Sequence, residues 1–424
     1  MNKIIAYFLI VFLFLPSLCL GAEEGISLAL DEAVAIALRD NRDILLKAED
    51  VKKAQLKIAE ANAALFPTLD FTGSWTDTRG LYPKDISKSA TQATLKQYLY
   101  QGGKIVNTIK QNRDEFEVSL ALLDKAKLET ILTVKKAFYT LILADEFTGL
   151  NEAILSNTRE HLKAAEARYL TGEVSQSDIL RLQESLSSVE SAYEASLNQA
   201  ESSRAVLNNL LSLDKDVKII PEGEFSYEPR EVIFDEAFLR ALEARPEIRQ
   251  YLAQEKADKR AIEIAKSDNR PSIYASWDYY SQSTSTLSFS PIKGWQDYNI
   301  VGLTFSWPLF DGWATKAKVE QAIVDLKATQ LNKGKVIGDI ALELKNAYLA
   351  LKNATSKLRA AEADITLYQD RVRDLTQKYS KGIASELDKQ DADLSYRVAL
   401  FNQKESIYDY IVAKDAFDKA TGGM

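Results

Sequence analysis

The sequence predicts an internally duplicated α+β chain. Its strands have the length of membrane-spanning barrel staves, and its helices are too long for a globular core. Three observations predict this. Residue patterns recur half a chain apart. Short segments alternate between apolar and polar residues. Pro is absent between Pro83 and Pro221 and again after Pro308, which leaves two stretches suited to very long helices.

Composition narrows the function classes. The 424 residues carry 53 Lys+Arg against 61 Asp+Glu, a net charge of -8. That balance gives no electrostatic reason to bind nucleic acid. One Cys and one His, Cys19 and His161, cannot build a Cys/His zinc site or a disulfide. No catalytic, cofactor-binding or metal-ligating constellation stands out, and an enzyme is not expected.

The chain opens as a secretory signal does. Lys3 gives a positive start, Ile4 to Leu15 is apolar, and Cys19-Leu20-Gly21-Ala22 offers small residues for cleavage. Residues 1–21 are therefore read as a signal peptide. Its apolar run is too short to span a bilayer, which needs roughly 20 residues. Leu18 before Cys19 disfavours a lipoprotein signal. No later segment approaches a transmembrane helix, so membrane insertion would require a barrel.

The mature chain is written twice. Asp31-Glu32-Ala33 recurs as Asp235-Glu236-Ala237, and Pro67 recurs as Pro271, both 204 residues on. Leu99 and Gly102 recur as Leu309 and Gly312, and Tyr169, Gly172, Ser175 and Asp178 as Tyr379, Gly382, Ser385 and Asp388, now 210 residues on. A six-residue insertion between Pro271 and Leu309 accounts for the change, where a loop absorbs it. The repeats are placed at 22–212 and 231–424, joined by a linker over 213–230. Each is expected to run helix, strand, loop, strand, very long helix, turn, helix.

Strands are predicted at 68–76, 93–100, 272–280 and 299–310. In the first, Leu69, Phe71 and Trp75 alternate with Thr68, Asp70, Thr72, Ser74 and Thr76. In the third, Ile273, Ala275, Trp277 and Tyr279 share a face. In the last, Val301, Leu303, Phe305, Trp307 and Leu309 do so. The second is the least regular, because Lys96 and Gln97 fall on opposite faces. Such strands fit a soluble sheet packed on a helix. They also fit tilted membrane staves, with aromatics near the strand ends where an interfacial girdle lies.

The helices then dominate. Ile340, Leu344, Ala347, Leu351, Ala354, Leu358, Ala361, Ile365, Tyr368, Val372 and Leu375 alternate steps of four and three, a coiled-coil seam. Ile131, Val134, Phe138 and Leu141 repeat the spacing in the first copy. The segments from Lys104 to Arg168 and from Ala314 to Lys378 each span on the order of 100 Å, with Gly334 and Gly338 as points where the second loosens. Four strands per chain cannot close a barrel, and an open edge cannot lie in lipid. Two chains would supply 8 strands and three would supply 12, so the count does not choose.

These features together resemble the TolC-like outer membrane efflux proteins. The resemblance rests on the duplicated plan, Leu65-Phe66-Pro67 entering the first strand and Trp307-Pro308-Leu309-Phe310-Asp311-Gly312 leaving the last. The paired Tyr-x-x-Gly-x-x-Ser-x-x-Asp turns complete it, and it covers Ser27 to Gly422. It implies a homotrimeric 12-strand β-barrel in outer membrane lipid, four strands per chain, continued by a long α-helical coiled-coil barrel in the periplasm of a Gram-negative bacterium. It implies a passive exit duct of a tripartite efflux or type I secretion system, docked to a periplasmic adaptor and an inner-membrane transporter.

The turns read first as helix ends. Gly172 and Gly382 suit C-caps with positive φ, and Ser175 and Ser385 suit N-caps with Asp178 and Asp388 completing capping boxes. The resemblance makes Gly172, Ser175, Gly382 and Ser385 the adaptor-docking turns. It makes Asp178 and Tyr379 an entrance-closing pair, and Asp388 and Asp391 an acidic periplasmic aperture. The family's closing arginine falls on Ala384, so that link is missing. His161, a lone surface-helix histidine, is read as incidental. The alternatives are a periplasmic adaptor or scaffold with helical hairpins, against which the duplication argues, and a secreted hydrolase, for which one His supplies no triad.

Overall fold

The computed structural model describes residues 26–81, 86–215, 217–223, 225, 227–230, 232–285 and 294–423. The expected signal peptide and Cys19 lie outside the described residues. In chain order the elements are β1 (Ile26–Ala29), α1 (Leu30–Asp40), α2 (Arg42–Ala63), β2 (Thr68–Thr78), β3 (Ile86–Gln101), α3 (Lys104–Leu170), α4 (Gln176–Leu210) and β4 (Ile219–Glu222). The second copy follows as α5 (Phe234–Ala244), α6 (Pro246–Ser267), β5 (Ser272–Ser285), β6 (Gln296–Ser306), α7 (Ala314–Ser380) and α8 (Glu386–Ala420).

Corresponding helices have equal lengths: 11 residues in α1 and α5, 22 in α2 and α6, 67 in α3 and α7, 35 in α4 and α8. Their starts keep the offsets of 204 before the strands and 210 after them. The two longest helices are each about 100 Å. α7 runs unbroken through Gly334 and Gly338, where loosening was expected. No helix among the described residues is long and apolar enough to cross a membrane.

The sheet has the order β2-β3-β5-β6, all antiparallel neighbours. The register puts Leu69, Phe71 and Trp75 of β2 on one face with Ala93 and Leu95 of β3, Ala275 and Trp277 of β5, and Val301, Leu303 and Phe305 of β6. Phe71, Val301 and Leu303 are each more than 70% exposed there. An apolar patch that broad has no business facing water. The other face is polar: Thr94 Oγ1 donates to Asp278 Oδ1 at 2.6 Å, and Gln92 Nε2 donates to the same oxygen at 3.2 Å.

The strand bounds differ from those expected. β3 starts at Ile86 rather than 93, because its polar Ser and Thr residues hide the alternation. A bulge between Tyr98 and Tyr100 shifts its register near the end. Lys96 sits on the polar face, 4.2 Å from the Tyr274 ring centroid, while the Gln97 amide turns aside to donate to Leu65 O. β5 extends to Ser285. β6 spans Gln296–Ser306, so Trp307 and Leu309 lie beyond it; Pro308 has no N–H to continue the ladder.

Each copy has its own core halfway along the long helices. In the first, Ala33 and Ala37 of α1 pack with Val134, Phe138 and Leu141 of α3 and Leu207 of α4. In the second, Ala237 and Ala241 pack with Leu344, Leu351 and Phe417. Tyr139 and the linker residue Phe225 touch both cores and stack at 5.9 Å. β1 and β4 pair in parallel beside the first core, a contact four-residue strands could not announce by period. The Asn41 amide donates to Leu210 O, pinning the α1–α2 corner to the end of α4. Its counterpart Arg245 donates to Ala420 O at the end of α8, and adds pairs with Glu247 and Glu343.

Candidate functional site at the helical tips

Both long hairpins end alike. Gly172 has φ +79° and Gly382 φ +69°. The Glu173 N–H donates to Arg168 O, and the Ile383 N–H to Lys378 O, closing matched Schellman-type ends. The next helix then starts on a capping box. Ser175 Oγ donates to Asp178 Oδ2 at 2.6 Å while accepting from the Asp178 N–H at 3.3 Å. Ser385 and Asp388 repeat this at 2.7 and 3.1 Å. The Ser hydroxyl and backbone N–H bonds hold each Asp carboxyl below its ordinary range; at Asp388 the Arg168 charge, arriving from α3, adds to this.

The expected closing pair is not joined within the chain. Asp178 is held by Ser175, with the Arg181 guanidinium 3.8 Å away. Tyr379 turns to its own hairpin: the Glu386 carboxylate pushes the phenol upward, and Lys389 lies 5.5 Å from its ring centroid.

The acidic pair is also divided within the chain. Asp388 caps α8. Asp391, one turn on, reaches back to α3: Asn157 Nδ2 donates to its Oδ1 at 3.0 Å, and His161 Nε2 lies 2.7 Å from the same oxygen. His161 is therefore not incidental. Nothing local could announce the contact, since 230 residues separate its partners.

That contact belongs to a seam between the hairpins, where α3 and α8 run antiparallel. From the core toward the tip it includes Lys135–Asp415 at 3.2 Å, Thr140–Tyr408 at 2.9 Å and Lys404–Glu146 at 2.5 Å. Phe147 against Phe401, then His161–Asp391, then Arg168 near Asp388 complete it. Burial pushes the Asp415 carboxyl up, with Lys135 opposing. On α7, the seam residues from Ile340 to Leu358 are buried, but Ile365, Tyr368 and Val372 are only half-buried, so packing thins toward the tips.

Known proteins share this plan. The family model described as "Outer membrane efflux protein" matches residues 33–212 and 239–423, one span per copy. Nodulation protein T of Rhizobium leguminosarum bv. trifolii is 24% identical over 420 residues, covering 93% of this chain and 83% of that protein. Outer membrane efflux protein BepC of Brucella suis is 21% identical over 411 residues, covering 96% and 88%. The crystal structure of the Campylobacter jejuni CmeC outer membrane channel superposes with a TM-score of 0.77 at 19% identity, over 93% of this chain and 85% of that one. With both copies matched and the fold shared along nearly the whole chain, this protein belongs to the outer membrane efflux protein family, seated in the outer membrane with its helices extending into the periplasm.

Proposed function

We propose that three copies of this chain form a passive exit duct, with a 12-strand barrel in outer membrane lipid and a helical barrel below it. The observation that carries this reading is an asymmetry between the copies. α3 packs on α2, α4, α6 and α8, whereas α7 packs on α5, α6 and α8 with no comparable contact to α2 or α4 among the described residues. By the repeat, α7 lacks the counterparts of α6 and α8, which are α2 and α4 of another copy. The bare face agrees: Ala121 of α3 is 2% exposed, while its counterpart Leu331 of α7 is 65% exposed. The sheet is open in the same sense. β3 pairs with β5, so β6 is free to pair with β2 of the next chain. Head-to-tail contacts of this kind close a ring, and the family plan supplies the number three.

In this reading the turns at Gly172, Ser175, Gly382 and Ser385 meet a periplasmic adaptor, which links the duct to an inner-membrane transporter of an efflux or type I secretion system. The groove between α3 and α4, lined by Glu152, Glu160, Glu190 and Glu194, suits basic side chains of an adaptor helix. Asp178 and Tyr379 act in entrance closure across neighbouring hairpins. The Asp178 counterpart Asp388 lies near Arg168, whose own counterpart is Lys378, beside Tyr379. Asp388 and Asp391 supply the acidic aperture, six carboxylates per trimer. The test is a single-channel recording in a planar bilayer. The wild type should conduct and select cations. Replacing Asp388 and Asp391 with Asn should lower that selectivity and weaken block by multivalent cations from the periplasmic side. Unchanged selectivity would put both residues outside the conduction path.

A further inference from the structure

We infer that His161 and Asp391 form a proton-operated latch that holds the two hairpins of each chain together when the periplasmic side turns acidic. The inference rests on the duct reading for what the latch controls, and on the geometry for the latch itself.

His161 is the only histidine of the sequence, and an imidazole is the side chain whose charge ordinarily changes between pH 5 and 8. Its Nε2 lies 2.7 Å from Asp391 Oδ1, across the boundary between the first hairpin and the second. Asn157, one turn away on α3, donates to the same oxygen and fixes the carboxylate in place. The seam's other ionic contacts, Lys135–Asp415 and Lys404–Glu146, pair a lysine with a carboxylate and hold no imidazole. The titratable contact sits where apolar packing has thinned, so it governs more of the local balance than it would higher up.

Charged groups from three helices surround the ring. From α8, Asp391 faces it directly, Asp388 lies a turn below, and Asp393 and Arg397 line the adjoining groove with Glu160 of α3. From α4, Glu190 is bound to Arg159 of α3 at 2.9 Å. Lys163 and Arg168 are the other cations on α3 nearby. Carboxylates outnumber cations.

The neutral ring can still donate one hydrogen bond to Asp391; protonation turns that into an ion pair, the stronger contact. The added hold is present where the ring is charged and lost where it is neutral. The repeat counterparts of His161 and Asp391 are Arg371 and Arg181, two fixed like charges. The contact between neighbouring chains thus has no equivalent switch, and the latch acts inside each chain.

For a half-exposed pair the effect should be about two- to fivefold per chain. The test compares wild type with His161→Gln, which does not titrate, and His161→Lys, which stays charged. Each is purified as the assembled full chain. In planar bilayers, wild-type open probability should rise about two- to fivefold or more as the periplasmic side goes from pH 6 to pH 8. His161→Gln should lose that rise by being open at both, and His161→Lys should lose it by staying closed at both. A His161→Gln profile equal to wild type overturns the latch. Hydrogen exchange of residues 386–396 reads the contact without needing conduction. The His161→Gln amides should exchange faster than wild type at pH 6, with the ratio falling toward one at pH 8. A ratio that does not change with pH overturns the latch. A protein that never conducts but shows the changing ratio retains the latch and loses the duct.

Discussion

Gly172 and Gly382 occupy left-handed backbone at the hairpin ends, with open space around the position a Cβ would take. Substitution there meets a conformational penalty rather than a clash. Replacing either with Val should strain one turn and leave the distant strands and cores intact. Assembled oligomers should reach the membrane in normal amounts, and export should fall. Loss of assembly on a denaturing gel run without heating would place these turns in the wrong part of the molecule. The turns were legible because Tyr, Gly, Ser and Asp recur at one spacing, and each has a local role within ten residues. Asp391 was not. Its place beside Asp388 came from the resemblance, and which face a helix turns to a neighbour is decided by packing. Asn157 and His161, far away in the chain, fix it.

The elements themselves follow from period and punctuation. The seam from Ile340 to Leu358 is buried as a 3.5-residue repeat requires. β3 was harder to bound, since one of its faces is mostly polar and the other ends in Ser87 and Ser89. The α2–α4 and α6–α8 corners were invisible, because Asn41 and Arg245 share a job but no chemistry. Arg245 is 4% exposed and bonds Glu247 and Glu343 at 3.0 and 2.8 Å; Lys419 reaches Glu343 at 2.7 Å. Burial favours protonating Glu343, but the two cations outweigh it and hold its carboxyl low. Arg245→Ala leaves the buried Glu247 with Lys125 at 3.8 Å in place of its two close bonds and should cost about 3–5 kcal/mol. Thermal melting followed by helical circular dichroism checks this, with Arg230→Ala, a surface pair, as the weak comparison at no more than about 1 kcal/mol.

The proposed assembly draws on the same correspondence. Gly102 has φ +61°, and a Cβ there would lie 2.7 Å from Arg270 Cβ and 2.9 Å from Ser267 O. Its counterpart Gly312 has open space within the chain. The counterparts of Ser267 and Arg270 are Ala63 and Phe66, which a neighbouring chain would bring to Gly312. Gly312→Val should therefore leave the monomer folded and reduce the oligomer, as seen by gel filtration in detergent. The most direct test concerns the sheet edges. Thr94 pairs with Asp278 inside the chain, so the repeat sets Thr304 of β6 opposite Ser74 of the next chain's β2. Cys introduced at both positions of the mature protein should oxidise to a ladder of one, two and three chains on a denaturing gel and stop at three, while either single Cys should give no ladder. A ladder ending at two, or no cross-linking in protein that is otherwise folded and membrane-inserted, would contradict the three-chain barrel.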